Sequence, residues 1–132
     1  MKRRVFKYSK LCRDKTIERQ EAWGAVFHWK ILNDAEYERE LRIKLLEEAH
    51  EVNVAKNCDE LIKELADLFE VIDALSKVYD LDKKDIMDMQ IEIRNERGGF
   101  CNRLFIEKAE YLSGSKGEKY CLASPEKYPE IE

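Results

Sequence analysis

Residues 44 to 67 decide the reading of this chain: Lys44-Leu45-Leu46-Glu47-Glu48-Ala49-His50-Glu51, then twelve residues, then Glu64-Leu65-Ala66-Asp67. The pairs Glu48/Glu51 and Glu64/Asp67 are each spaced i, i+3, which places both members on one side of a helix. On the first helix Leu41, Leu45, Val52 and Ala55 follow the steps of a core stripe, and the missing member of that stripe is position 48. A glutamate stands where packing calls for leucine. On the second helix Leu61, Leu65, Leu68, Ile72, Leu75 and Tyr79 form a heptad seam. Glu64 and Asp67 lie on its flank, which continues as Val71, Ala74 and Val78, while Lys63, Glu70, Asp73 and Lys77 make the polar side.

At least three of these acids therefore point between the helices. Clustered, partly dehydrated carboxylates repel one another and must take up protons or a cation. An oxygen-only donor set suits a hard ion, Mg²⁺ or Mn²⁺, and magnesium commonly shares its shell with substrate phosphates. One E-x-x-E on a charged helix is ordinary. Two such pairs on adjacent helices, both interrupting an apolar arc, are not.

The chain has 132 residues, of which 39% are charged, with five glycines and two prolines. That length supports a single core without staples, and that composition favours helix. We expect a mainly α (α+β) protein, an antiparallel helix bundle with a small two-stranded β-ribbon. No long apolar run or signal-peptide pattern is present, so a soluble, cytoplasmic protein without membrane contact is expected. Cys12, Cys58, Cys101 and Cys121 form no C-x-x-C and are expected as reduced thiols. The net charge is −4, yet residues 2–15 hold seven bases against Asp14 alone, a local +6 that leaves −10 elsewhere. A basic arm on an acidic body suits phosphate binding beside a metal site. Nucleic acid is disfavoured, since no aromatic-interleaved basic sheet or recognition helix follows.

In chain order, Asp14 is expected to cap a short helix running to about residue 23 and closed by Gly24. Residues 25–32 read as a strand, with His28 and Lys30 alternating outward. Asn33 or Asp34 caps a helix from 35 to about 56, and Asp59 caps another to about 79. Asp82 caps a third, from 83 to 97, stopped by Gly98-Gly99. Residues 104–112 read as a second strand that pairs with 25–32. Residues 1–112 form the domain. Residues 113–117 read as a flexible link, and 113–132 as a loosely ordered appendage.

The E-E-x-x-E…E-x-x-D pattern of Glu47, Glu48, Glu51, Glu64 and Asp67 resembles that of the MazG-like, or all-α, nucleotide pyrophosphohydrolases. Tyr8-Ser9-Lys10-Leu11-Cys12-Arg13-Asp14-Lys15 is similar to the Y-N-K-L-V-R-D-K opening of the phosphoribosyl-ATP pyrophosphohydrolase-like branch. So are Glu64-Leu65-Ala66-Asp67-Leu68-Phe69-Glu70-Val71-Ile72 and Glu96-Arg97-Gly98-Gly99-Phe100. The resemblance spans residues 8–106, and three motifs in the right order carry it. It departs at Thr16-Ile17, where the branch usually has Ile-Pro, and at Arg94, where lysine is common.

The resemblance implies a MazG-like bundle that hydrolyses a nucleoside triphosphate between its α and β phosphates, in nucleotide-pool control. It implies Mg²⁺ (or Mn²⁺) on Glu48, Glu51, Glu64 and Asp67, with Glu47 as the water-orienting base. Lys10, Arg13, Lys15, Lys44, Arg94 and Arg97 become the candidate phosphate contacts. Trp23, Trp29 and Phe100 are expected chiefly in the core, with base stacking as the other role.

Two rivals were weighed. Glu47-x-x-His50 invites a di-iron carboxylate bundle, but that site needs a second E-x-x-H on another helix, and His28 falls in the expected strand. A nucleotide-sensing helical module that binds without turnover is the non-enzyme alternative, against which all four ligand positions are intact. The second helix is apolar over most of its circumference, so we expect a homo-oligomer, a dimer or tetramer, that completes a four-helix arrangement.

Overall fold

A computed structural model describes residues 2–132 and contains five helices: α1 (Thr16–Glu21), α2 (Asp34–Val54), α3 (Cys58–Val78), α4 (Lys83–Arg97) and α5 (Lys116–Leu122). Two compact units divide the chain, one ending at Ile93 and the other running from Arg94 to Glu132. No helix among the described residues is long and apolar enough to cross a membrane.

The first unit is built on an antiparallel hairpin of α2 and α3. Both helices start where an asparagine side chain takes an orphan backbone donor. Asn33 accepts from the Glu36 N–H while Glu36 reaches back to the Asn33 N–H, a complete capping box. Asn57 accepts from the Glu60 N–H, and the Glu60 carboxylate takes the Lys56 N–H at 2.9 Å. The second cap is thus Asn57 rather than Asp59, and the turn between the helices is only residues 55–57. So short a turn forces the helices side by side.

Leu41 and Val71, 2% and 8% exposed, are the buried centre of this hairpin. Burying side chains of this size contributes on the order of 2 kcal/mol each. Their spacing carries the site. Glu48 lies seven residues after Leu41 and Glu64 seven before Val71, so each buried apolar residue shares its facing stripe with a carboxylate one heptad away. The heptad seam of α3 is less enclosed: Leu61, Leu65 and Tyr79 are exposed. The flank expected to carry Glu64 and Asp67 is therefore the side that meets α2. At the far end of the hairpin Tyr79 donates to Glu38 and accepts from Arg42, tying the helices a second time.

The β-ribbon is absent. Residues 25–32 and 104–112 contain no strand, and no ladder of backbone hydrogen bonds joins described residues there. Their alternation suits a pleated surface, but a two-stranded ribbon is marginal without a third strand or a covering helix. Val26, Trp29, Ile31, Leu104, Phe105 and Ile106 all stay exposed, so no face is buried to favour pairing. Trp23 and Phe100 are exposed too, contrary to a place in the core.

Helix α1 is shorter than expected, and Lys15 rather than Asp14 occupies its cap position, with no side-chain cap bond. Helix α4 begins where Asp82 accepts from the Lys84 N–H and ends at Gly98, whose φ of +84° suits a left-handed helix stop.

In the second unit the link expected to be flexible is a helix start. Ser115 caps α5 by accepting from the Glu118 N–H, and Glu118 takes the Gly114 N–H. Tyr120 and Tyr128 then pack with ring centroids 5.5 Å apart, folding the last residues back on α5.

A carboxylate cluster between two helices as the candidate functional site

Glu48 of α2 meets Glu64 and Asp67 of α3, each offering one carboxylate oxygen, and these atoms all lie within 4.8 Å of one another. Their side chains are 12%, 17% and 25% exposed, so the cluster is half-buried but open to water on one side. No other group of His, Cys, Asp or Glu among the described residues is arranged to hold an ion. His50 and His28 are exposed and outside it, which leaves the di-iron alternative without a nitrogen ligand.

Glu51 is not drawn in. Three residues add about 300° around a helix, so Glu51 is turned about 60° from Glu48. Glu51 is exposed and outside the trio, although Glu64 and Asp67 at the same spacing both belong to it.

Four cations ring the acids. Lys10 Nζ lies 3.1 Å from Glu47 Oε1, and Lys44 Nζ lies 3.4 Å from Glu47 Oε2 and 3.8 Å from Glu48 Oε1. Arg13 Nη2 contacts Asp67 Oδ1 at 2.7 Å. Lys63 Nζ stands 3.3 Å from Glu64 Oε1 and 3.2 Å from Asp67 Oδ2. Three of these bases, Lys10, Arg13 and Lys44, are candidates from the sequence. Lys63, which the sequence puts on the polar side of α3, is not among them. The signal was its i, i+4 spacing to Asp67, which brings the two together on a helix surface.

The remaining candidates make no ion pair with the cluster. Lys15, at the head of α1, has no acidic partner among the described residues. Arg94 and Arg97 stand one turn apart in the last turn of α4, exposed, at the start of the second unit.

Electrostatics separate the acids. Burial pushes Glu48 above the ordinary carboxylate value; Lys44 opposes this, while Asp67, Glu47 and Glu64 reinforce it. Burial also acts on Glu47, but its hydrogen bond to Lys10 and the charges of Lys44 and Lys10 outweigh it and hold Glu47 low. Asp67 is likewise held low, burial being overcome by Lys63 and then Arg13. Glu47 is consequently a weak proton acceptor in this state, suited to orienting a water rather than to taking its proton.

The donor set fits a small divalent ion. Gathered about 2.1 Å from a common centre, neighbouring oxygens would stand about 3 Å apart, so side-chain rotations would have to draw the three together. Three protein carboxylates leave positions for water and for oxygens of a ligand. The chain matches no described protein family, no curated protein and no solved structure.

Proposed function

We propose that the chain is a divalent-metal-dependent nucleotide pyrophosphohydrolase of the MazG-like kind, its metal held by Glu48, Glu64 and Asp67. The observation that carries this reading is the convergence of three half-buried carboxylates from two helices, ringed by bases that suit phosphate. Magnesium, when bound, supplies charge for the phosphate oxygens and acidifies a water. Water adds at the α–β anhydride, that P–O bond breaks, and pyrophosphate leaves with a nucleoside monophosphate as the other product.

The chain's own residues supply the rest. Lys44, a half-buried lysine beside Glu47 and Glu48, would meet the incoming phosphate. Glu47, kept ionised by Lys10 and Lys44, accepts a hydrogen bond from the attacking water and so aims its oxygen. Lys10 and Arg13 bring two further charges from the N-terminal segment, Arg13 with the planar fork that suits phosphate. Arg94 and Arg97 remain candidates for the phosphate chain on the resemblance alone.

A nucleotide panel with Mg²⁺, read as pyrophosphate release, tests the reading. The wild type should release pyrophosphate from at least one nucleoside triphosphate, and Asp67→Asn should lower the rate by about 100-fold or more, as expected for a lost metal ligand. If no nucleotide is cleaved but one raises the melting temperature, the sensing module is the better reading.

The hairpin also leaves Ile43, Leu46, Ile62 and Phe69 exposed, and Ile86, Met89 and Ile93 of α4 line an open apolar groove. We infer that further copies of the chain cover these outward side chains and complete a four-helix arrangement.

A further inference from the structure

Asp67 spends both oxygens on cations: Oδ1 on Arg13 at 2.7 Å and Oδ2 on Lys63 at 3.2 Å. Lys63 also reaches Glu64 Oε1 at 3.3 Å, so one ammonium bridges two of the three carboxylates that a metal would join. A divalent ion at this cluster needs one of those Asp67 oxygens with a lone pair aimed at the metal. An ammonium kept beside it would be repelled by the ion, because a +1 and a +2 charge would then share the same carboxylates. Departure is easy: the Lys63 and Arg13 side chains are 71% and 59% exposed and sit on flexible stems in water. Lys63 and Arg13 are thus placed as occupants of the site whose charge a polyphosphate could use once they are displaced.

Resting on the hydrolase reading above, we propose that Asp67 is a cation-exchange point. Lys63 and Arg13 hold it in the metal-free protein, a divalent ion displaces them, and the displaced cations take the polyphosphate that accompanies the metal. A free metal ion then binds against competition, whereas a metal carried by polyphosphate binds with the help of the same two side chains. Metal without substrate is disfavoured, and the loaded state assembles from both together.

The test titrates Mn²⁺ calorimetrically into the metal-free full chain, with and without inorganic triphosphate. Wild type, Lys63→Met, Lys63→Arg and Arg13→Met are compared, with melting curves to confirm folding of these exposed-site variants. Lys63→Met should bind Mn²⁺ alone on the order of tenfold more tightly, the effect of removing a unit charge about 5 Å from a divalent ion at the dielectric of water. The same variant should bind Mn²⁺–triphosphate several-fold more weakly, about as expected for one lost charged phosphate contact. Arg13→Met should move both values in the same senses, and Lys63→Arg should keep the wild-type pattern. A structural ion pair would instead weaken both bindings or change neither, and either result overturns the exchange. Wild type that binds Mn²⁺, with Lys63→Met indistinguishable from it, sinks the exchange alone. Wild type that binds no Mn²⁺ either alone or with triphosphate sinks the metal reading with it.

Discussion

Glu48 and Asp67 are near neighbours with opposite electrostatic histories, and opposite effects on stability follow. Glu48 is raised by burial, so its charge costs stability at neutral pH; the penalty is absent at low pH, where it is protonated in both states, and grows as pH rises through the ordinary value near 4.5. Asp67 is held low by Lys63 and Arg13, so its contribution is present above the ordinary 3.8 and is lost as pH falls through the lower folded value. In metal-free buffer at pH 7, Glu48→Gln should therefore raise the melting temperature and Asp67→Asn should lower it. At about pH 3.5 the gain from Glu48→Gln should vanish. Thermal melts in chelator at the two pH values check the signs. Identical shifts for the two variants would mean that burial and ion pairing do not divide as described. The carboxylates themselves were legible in the sequence because position 48 breaks an apolar stripe. Their cations were only half legible: the partners of Lys10 and Arg13 lie 37 and 54 residues away, beyond any local spacing rule.

Among the elements, those with a chemical signal at their ends were read within a residue or two. Asn33, Asn57 and Asp82 each accept a backbone N–H near a helix start, and Gly98 ends α4. The ribbon was over-read because alternation reports the preference of a strand and says nothing of whether a partner will lie beside it. Helix α5 was under-read because Gly114 and Gly117 resemble a linker, although Ser115 and Glu118 already have capping spacing. Gly117 has its own reason to be glycine. A Cβ added there would collide with the ring of Tyr111. Gly117→Ala should consequently destabilise the second unit by about 1–3 kcal/mol, the range for overpacking, despite alanine's better helix propensity. Hydrogen exchange across residues 111–128 would register it as faster exchange. Unchanged protection would show that Tyr111 turns aside freely.

For the whole molecule, the balance of buried and exposed apolar residues is the guide. Leu41 and Val71 are the only described hydrophobic residues counted as buried, while Leu46, Ile62 and Phe69 on the hairpin are largely open. If copies of the chain assemble as proposed, these side chains would be covered. At about 20 µM, sedimentation equilibrium should return a multiple of the 15.7 kDa chain mass. Phe69→Glu should shift it toward the single chain by placing an unpaired charge in the contact. A wild type sedimenting as one chain at that concentration would contradict the four-helix assembly.

The four bases about the acids have a last consequence for handling and storage of the protein. Their charges are tethered to the same chain, so dialysis cannot remove them, and the clustered acids are not bare like charges pressed together. The acids carry their own counter-ions, and these remain however far the solution is diluted.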